Sequence, residues 1–274
     1  MTAAPPENLR IAIVFFGITR SLRYTLDSIT HNVIAPARAL SADVGLFGHF
    51  YDQSRIYNPR SGEAGPLDRN EYRLLPLDKV ERESPGECLA DYPIEDLMRN
   101  GDYWKDKFRS FGNLVHQLHS LHRATLLAEA YRPDILIFAR PDLYYMNSFS
   151  PWLQDLARDP APQVLVPHWA LWRGLNDRLA LARGADTIAA YGHRVKMMLE
   201  YCADGRMLHS EQLLKYALRD HKTRMIPLHA SRVRSNGLVV IEDFRPGLGA
   251  GGGRETLPFD AFIAAQAAQP PVEA

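Results

Sequence analysis

The stretch Ile11-Ala-Ile-Val-Phe-Phe16, closed by Gly17, decides the fold class of this chain. An unbroken apolar run that ends at a glycine is typical of a strand buried on both faces of a parallel sheet. A second run of this kind, Ile135-Leu-Ile-Phe-Ala139, ends abruptly at Arg140. The two runs predict a mostly parallel sheet that contains both strands.

Helical and extended patterns alternate along the rest of the chain. Apolar residues recur at spacings of three and four over residues 21–40 and 110–130, which predicts two long helices. Further segments are predicted as helices at 185–201 and 210–219, strands at 43–48, 71–77 and 164–168, a long surface loop or lid at 53–66, and a hairpin turning at Asn236-Gly237. This alternation predicts an α/β fold whose central sheet is flanked by helices.

Composition excludes several function classes. The 274 residues carry 32 Lys and Arg against 32 Asp and Glu, so no bulk positive charge favours nucleic acid or an anionic membrane. The two cysteines, Cys88 and Cys202, are too few for a disulfide framework or a cysteine-based zinc site. No basic stretch leads into an apolar run at the N-terminus, and we therefore expect a cytoplasmic protein without an export signal or transmembrane segment.

Polar residues follow the apolar runs, where parallel strands end and ligands bind. They are Gly17 to Arg20, His49 to Asp52, Arg140 to Asp142, and His168. A glycine turn, a hydroxyl, guanidinium groups and a carboxylate predict a nucleotide or diphosphate site. Two alternatives stay open: strand ends are polar because they meet water, and Arg140 and Asp142 form a structural ion pair.

Three histidines, His116, His119 and His122, repeat at every third residue of the second long helix. Two of them could share a metal ion. Because no carboxylate lies on that helix face, the pattern favours solvated histidines or histidines at the edge of the core.

Seven short motifs occur in an order that resembles the GT-A-type, nucleotide-sugar-dependent glycosyltransferases of bacterial and viral surface polysaccharide assembly. They are residues 11–22 (IAIVFFGITRSL), 47–52 (FGHFYD), 134–145 (DILIFARPDLYY), 172–180 (WRGLNDRLA), 191–194 (YGHR), 209–214 (HSEQLL) and 232–238 (RVRSNGL). The resemblance implies a single, Rossmann-like GT-A domain over residues 9–245. A flexible N-terminus (1–8) and a Gly/Pro/Ala-rich C-terminal tail (246–274) flank that domain.

The resemblance also implies a nucleoside-diphosphate sugar as donor. GT-A enzymes hold a divalent metal through an Asp-x-Asp motif, but here the corresponding place reads Arg140-Pro141-Asp142 and lacks the first carboxylate. A Mn or Mg ion on Asp142, with His229, stays open, and arginine could replace part of its charge. The implied donor-binding residues are Phe16, Gly17, Thr19, Arg20, Arg140, Asp142, Asn176 and Arg178.

The segment Trp172 to Asp177 is similar to the family loop that contacts the donor sugar and the acceptor, with Asn176 and Asp177 on sugar hydroxyls. His168, Trp169 and Trp172 are the candidates for stacking on the sugars. In an inverting transfer a carboxylate removes the acceptor's proton; Asp177 is the first candidate, and Glu211 is the alternative base or sugar ligand. Without catalysis, Asp177 would cap a following helix and Glu211 would lie in the first turn of its own.

The resulting hypothesis is a hexosyl- or deoxyhexosyltransferase of lipopolysaccharide, polysaccharide or glycolipid biosynthesis, in the cytoplasm or peripheral at the inner membrane face. Its partners would be the sugar nucleotide and a saccharide or glycolipid acceptor. The alternative is a non-catalytic binding or scaffolding module, which the missing first carboxylate favours. An NAD-dependent oxidoreductase is disfavoured because Gly17-Ile-Thr-Arg20 lacks the glycine fingerprint.

Overall fold

The computed structural model describes residues 9–247 and 255–268, apart from the side chain of Arg60. The strands are β1 (Arg10–Gly17), β2 (Asp43–Tyr51), β3 (Arg55–Asn58), β4 (Glu63–Pro66), β5 (Lys79–Glu83), β6 (Ile135–Ala139), β7 (Leu143–Tyr145), β8 (Gln163–Pro167), β9 (Ala180–Arg183), β10 (Thr223–Ile226), β11 (Ala230–Arg232), β12 (Leu238–Val240) and β13 (Thr256–Pro258). The α-helices are α1 (Leu22–Ile29), α2 (Ala35–Leu40), α3 (Ile94–Met98), α4 (Arg109–Glu129), α5 (Ser150–Arg158), α6 (Ala185–Gly192), α7 (Met198–Ala203), α8 (Ser210–Ala217) and α9 (Phe259–Ala267).

The centre of the fold is a seven-stranded sheet with the order β10-β8-β9-β6-β1-β2-β5. Its pairs are parallel except those of β9, which runs antiparallel to both β6 and β8. The strands other than β9 therefore end at the same edge of the sheet. This confirms the predicted α/β fold with a mostly parallel central sheet.

Helices cover both faces of the sheet, and β1 shows why its sequence is apolar throughout. Residues 11, 13 and 15 belong to the buried cluster that includes Leu22 of α1 and Leu153 of α5. Residues 12, 14 and 16 belong to the opposite cluster with Leu121 of α4 and Leu214 of α8. Because successive strand residues face opposite sides, a strand between two helical layers needs apolar residues at every position.

Strands β5, β9 and β10 were not predicted, and two predicted segments form a different type of structure. Residues 53–66 contain the antiparallel β3–β4 hairpin instead of an irregular loop. Glu71–Leu74 forms a 3-10 turn instead of a strand, and the Glu71 carboxylate accepts a hydrogen bond from the Arg23 amide (3.1 Å) at the start of α1. Both segments are shaped by contacts with residues distant in sequence, which local patterning does not reveal.

The described part of the C-terminal tail contains β13 and α9. Strand β13 pairs antiparallel with β12, and Phe262 of α9 is buried. The Phe259 ring lies 5.1 Å from the ring of Tyr24 in α1. Residues 1–8, 248–254 and 269–274 of the predicted flanking segments lie outside the described residues.

Within the described ranges, no helix combines the length and the apolar character needed to cross a bilayer.

Candidate active site

A cleft of about 430 Å³ opens at the edge where the parallel strands end. Phe16 and Gly17 line it from β1, Arg140 from the end of β6, Gln117 from α4, and Glu211 from α8. The β3–β4 hairpin forms a further wall. Both the position and the size are those expected of a ligand site in an open α/β sheet.

Asp142 lies beneath the cleft, held by two arginines. Arg140 donates from Nε to Oδ1 and from Nη2 to Oδ2, both at 2.9 Å, and Arg20 donates from Nη2 to Oδ2 at 2.5 Å. Burial alone would raise the pKa of the Asp142 carboxyl, but the charges of Arg140 and Arg20 outweigh it and hold the pKa well below its usual range. The geometry is thus that of the alternative in which Arg140 and Asp142 form a structural ion pair, with Arg20 as a second partner of the carboxylate.

The Asp142–His229 pair does not fit a divalent ion. Both carboxylate oxygens of Asp142 already accept hydrogen bonds from guanidinium groups, whose charge would repel a cation. The His229 ring is stacked on the ring of Phe244, with centroids 4.3 Å apart. The predicted Mn or Mg site therefore finds no suitable set of ligands here.

The arginines extend into a larger charged network around the cleft. Glu63 of the hairpin accepts hydrogen bonds from Arg20 (2.8 Å) and Arg234 (2.9 Å). Glu242 forms ion pairs with Arg178 (2.8 Å) and Arg232 (3.4 Å). The network also includes Asp142 with Arg140 and Arg20. In total, five guanidinium groups share three carboxylates, which leaves an excess of two positive charges.

The loop between β8 and β9 is docked onto the start of α8 by a close backbone contact. The Leu175 amide donates to the Glu211 carbonyl (3.0 Å), and a Cβ on Gly174 would lie 2.0 Å from that oxygen. Only glycine fits there. Ala170, Trp172 and Arg173 in this loop have positive φ angles, a strained backbone of the kind that is concentrated at functional sites.

This docking brings the two candidate catalytic carboxylates together. Asp177 Oδ2 accepts hydrogen bonds from the Gln117 amide (2.8 Å) and from the Ser210 hydroxyl. Burial raises the pKa of Asp177, but the charge of Arg194 and the Ser210 hydrogen bond outweigh it, so the net change is a lowered pKa. Asp177 is therefore ionised at neutral pH.

Glu211 has the opposite character. Burial and then the negative charge of Asp177 raise its pKa to about 8. The two carboxyl groups thus differ in protonation at pH 7, which is a mark of acid and base sites.

The alternative roles at helix starts, predicted for both carboxylates, hold for only one of them. The capping role is wrong for Asp177, because strand β9 follows that residue, not a helix. The predicted position is right for Glu211, which lies in the first turn of α8.

The structure divides the other predicted residues into two groups. Trp172 and Arg178 line the cleft together with Phe16, Gly17, Arg20, Arg140, Asp177 and Glu211. The side chains that do not line it are those of Thr19, Asp142, His168, Trp169, Asn176 and His229.

Several members of the second group hold the walls of the cleft. Trp169 is fully buried and donates from its indole N–H to the Leu228 carbonyl (2.8 Å), so it has no face free for a sugar. Asn176 donates to the Trp169 carbonyl (2.7 Å) and accepts from the Arg178 amide (3.0 Å), which fixes the loop. His168 Nε2 contacts the Phe244 carbonyl at 2.9 Å.

Sequence reasoning missed an aromatic wall formed by Tyr103, Trp104 and His209. The His209 ring lies 4.1 Å from that of Tyr103 and is stacked on that of Trp104 at 5.6 Å. The segment that carries Tyr103 and Trp104 is shaped by Asp102, whose carboxylate accepts hydrogen bonds from the amides of Trp104 (3.1 Å) and Phe108 (2.9 Å). The signal available in the sequence was an aromatic pair placed directly after Gly-Asp and just before the longest helix.

Comparisons with known proteins give only distant similarities. No protein-family model matches the chain, and no curated protein sequence matches it. Similar solved structures include mouse xyloside xylosyltransferase 1 in its apo form, with 12% identity over 81% of this chain and 85% of that one and a TM-score of 0.41. A galactosyltransferase, LgtC, in complex with donor and acceptor sugar analogues has 10% identity over 78% and 72% of the two chains and a TM-score of 0.42.

The glycosyltransferase GlyE of Streptococcus pneumoniae has 8% identity, coverage of 80% of this chain and 45% of that one, and a TM-score of 0.39. At these scores the overlays give no information on the reaction.

Proposed function

We propose that this chain is a glycosyltransferase that moves a sugar from a nucleoside-diphosphate sugar to a hydroxyl group of a saccharide or glycolipid acceptor. The observation that carries the proposal is the content of one cleft. An excess of two positive charges lies beside a pair of carboxyl groups with opposite pKa shifts. The first feature suits a diphosphate leaving group, and the second suits proton removal from a hydroxyl.

Arginines take the place of a metal in this proposal. Arg20 donates to Asp142 and Glu63, and Arg140 donates to Asp142 and Gln117. These bonds use two or three of the five N–H donors of each guanidinium, so each retains donors for a ligand in the cleft that it lines. Guanidinium groups bind phosphate oxygens in a planar, often bidentate geometry. We infer that they hold the donor's diphosphate and neutralise the charge that develops when it leaves, with no divalent ion at Asp142.

Aromatic side chains provide the sugar-binding walls. Trp172, Tyr103 and Trp104 line the cleft. Aromatic rings offer apolar faces to the C–H groups of sugars, while the polar groups nearby serve the hydroxyls. A growing surface polysaccharide or glycolipid is the acceptor class that the sequence motifs suggest.

Glu211 is the proposed base. In an inverting transfer, the acceptor oxygen bonds to the anomeric carbon, the bond from that carbon to the phosphate oxygen breaks, and the acceptor's proton passes to the Glu211 carboxylate. Asp177 is a weaker base because its pKa is lowered, but its charge raises the proton affinity of Glu211. The two carboxyl groups thus take different roles, one as the base and the other as the charge that tunes it.

The test combines binding and turnover on the purified chain. Calorimetry against UDP, GDP, CDP and dTDP should find one nucleotide that binds, and the matching sugar nucleotide should slowly release free sugar in water. Arg140→Met should weaken nucleotide binding at least ~10-fold, since a hydrogen bond to a charged group contributes about 1.5–3 kcal/mol. Arg38→Met, which removes an exposed arginine from α2, is the matched control and should bind normally.

Two results would contradict the proposal. Failure of all four nucleoside diphosphates to bind would exclude a sugar-nucleotide site. Binding of an intact donor without hydrolysis or transfer would identify a non-catalytic binding module.

A further inference from the structure

A cluster outside the cleft brings together two histidines and a glutamate from three elements: His49 of β2, Glu83 at the end of β5, and His119 of α4. The Glu83 Oε1 atom lies 3.0 Å from His119 Nε2 and 3.7 Å from His49 Nε2. Both histidines are buried, and Glu83 is largely buried, with 22% of its side chain exposed. The sequence analysis considered only carboxylates on the same face of the helix, whereas this carboxylate comes from the edge strand of the sheet.

The protons around His49 can be assigned from its hydrogen bonds. The Ser120 hydroxyl donates its one proton to the His49 carbonyl (2.8 Å) and accepts from the Gly17 amide (2.7 Å). Its 2.9 Å contact with His49 Nδ1 therefore requires the proton to be on Nδ1. The other ring nitrogen, Nε2, then presents a lone pair toward the Glu83 carboxylate.

His119 is held in a similar way. Its Nδ1 lies 2.8 Å from the Tyr92 hydroxyl. Its Nε2 and the Glu83 Oε1 are buried without a hydrogen-bond partner, although they are only 3.0 Å apart. Buried polar atoms without partners are rare in folded proteins, and those that occur often face a bound ion or an ordered water.

We propose that His49, Glu83 and His119 bind one Zn²⁺ ion. Zinc with ligand distances near 2.0–2.2 Å and tetrahedral angles places its ligand atoms about 3.3 Å apart. The two measured separations, 3.0 and 3.7 Å, lie on either side of that distance. Imidazole nitrogens disfavour Mg²⁺, which prefers oxygen, and the hydroxyls on the opposite ring nitrogens orient both histidines toward the ion.

The site would join the edge strand β5 to β2 and to α4. It is linked to the cleft through Ser120, whose hydroxyl contacts both His49 and the amide of Gly17, a residue that lines the cleft. The zinc site does not depend on the proposed transferase activity, and it can be tested on binding alone.

The experiment is a zinc titration of the full chain after removal of metals on a chelating resin. Competition with a chromophoric chelator should give one Zn²⁺ per chain, and zinc should raise the melting temperature. Glu83→Gln keeps the size of the side chain and His119→Gln removes one imidazole; both should lose this binding while circular dichroism shows that the fold is retained. His122→Gln removes a half-buried histidine one turn further along α4 and is the matched control, which should bind as the parent chain does.

Tyr92→Phe should give an intermediate zinc affinity, which would not be expected if the cluster had only a structural role. Loss of a group that orients a metal-bound histidine weakens affinity by ~10–100-fold, so this variant should bind zinc more weakly than the parent and more tightly than His119→Gln. Zinc binding below one equivalent, or equal binding by the parent, Glu83→Gln and His119→Gln, would overturn the proposal and leave an ion pair between His119 and Glu83.

Discussion

Replacing Glu211 by glutamine should make the stability of the protein less dependent on pH between about 5 and 8. The folded chain raises the pKa of Glu211 from an ordinary value of 4.5 to about 8, because the side chain is buried beside the negative charge of Asp177. The folded state therefore holds a proton that the unfolded chain releases over this range, so rising pH destabilises the folded state. At about 1.4 kcal/mol per pH unit, the total effect is about 5 kcal/mol as an upper bound.

The assay is urea unfolding of the parent and of Glu211→Gln at a series of pH values. Glutamine cannot ionise, so the variant should gain stability relative to the parent as pH rises from 5, and the difference should level off above about 8. Glu95→Gln, which removes a glutamate from the first turn of α3, is the matched control for the change of residue type and is measured at the same pH values. A stability difference between the parent and Glu211→Gln that stays constant from pH 5 to 8 would refute the raised pKa and with it the choice of base.

Three further outcomes follow from the same geometry. The rate of sugar transfer should rise with pH and level off above about 8, because only the ionised form of Glu211 accepts a proton; a rate that falls over this range would show that Glu211 acts as an acid. Gly174→Ala places a Cβ 2.0 Å from the Glu211 carbonyl, so it should lower stability by about 1–3 kcal/mol in urea unfolding and reduce turnover as well. Glu63→Gln leaves Arg20 and Arg234 without their shared carboxylate, and the melting curve should show a loss of about 3–5 kcal/mol; an unchanged curve would mean that the hairpin is not anchored by these ion pairs.

Local sequence was enough for four strands of the central sheet, β1, β2, β6 and β8, but did not indicate its strands β5, β9 and β10. Residues 11–16 and 135–139 are apolar at every position because helices cover both faces of their strands, and few other short segments show this pattern. The β3–β4 hairpin could not be found in that way, since its Glu63 is held by Arg234, 171 residues away in sequence.

The candidate site was partly predictable for a related reason. The position of strand ends places Arg20 and Arg140 in the cleft, because parallel strands finish at one edge. It does not determine which side chains of the following loop turn inward. Trp172 lines the cleft, whereas Trp169, three residues earlier, is fully buried. Ala170 and Trp172 have positive φ angles, a backbone conformation that the local sequence does not predict.

The three proposed zinc ligands could not be found from local patterns either. They come from three elements, and the helix that carries His119 provides no carboxylate for it. Their proximity appears only when the sheet order places β5 beside β2 and both strands contact α4.

In the proposed mechanism, arginines hold the diphosphate of the donor without a divalent ion at Asp142. The most direct measurement is calorimetric titration of the preferred nucleoside diphosphate in buffer passed over a chelating resin, repeated with added Mg²⁺ or Mn²⁺. We predict the same affinity in all three conditions for the parent chain and a loss of affinity in Arg140→Met. Nucleotide binding that occurs only after Mg²⁺ or Mn²⁺ is added would contradict this mechanism.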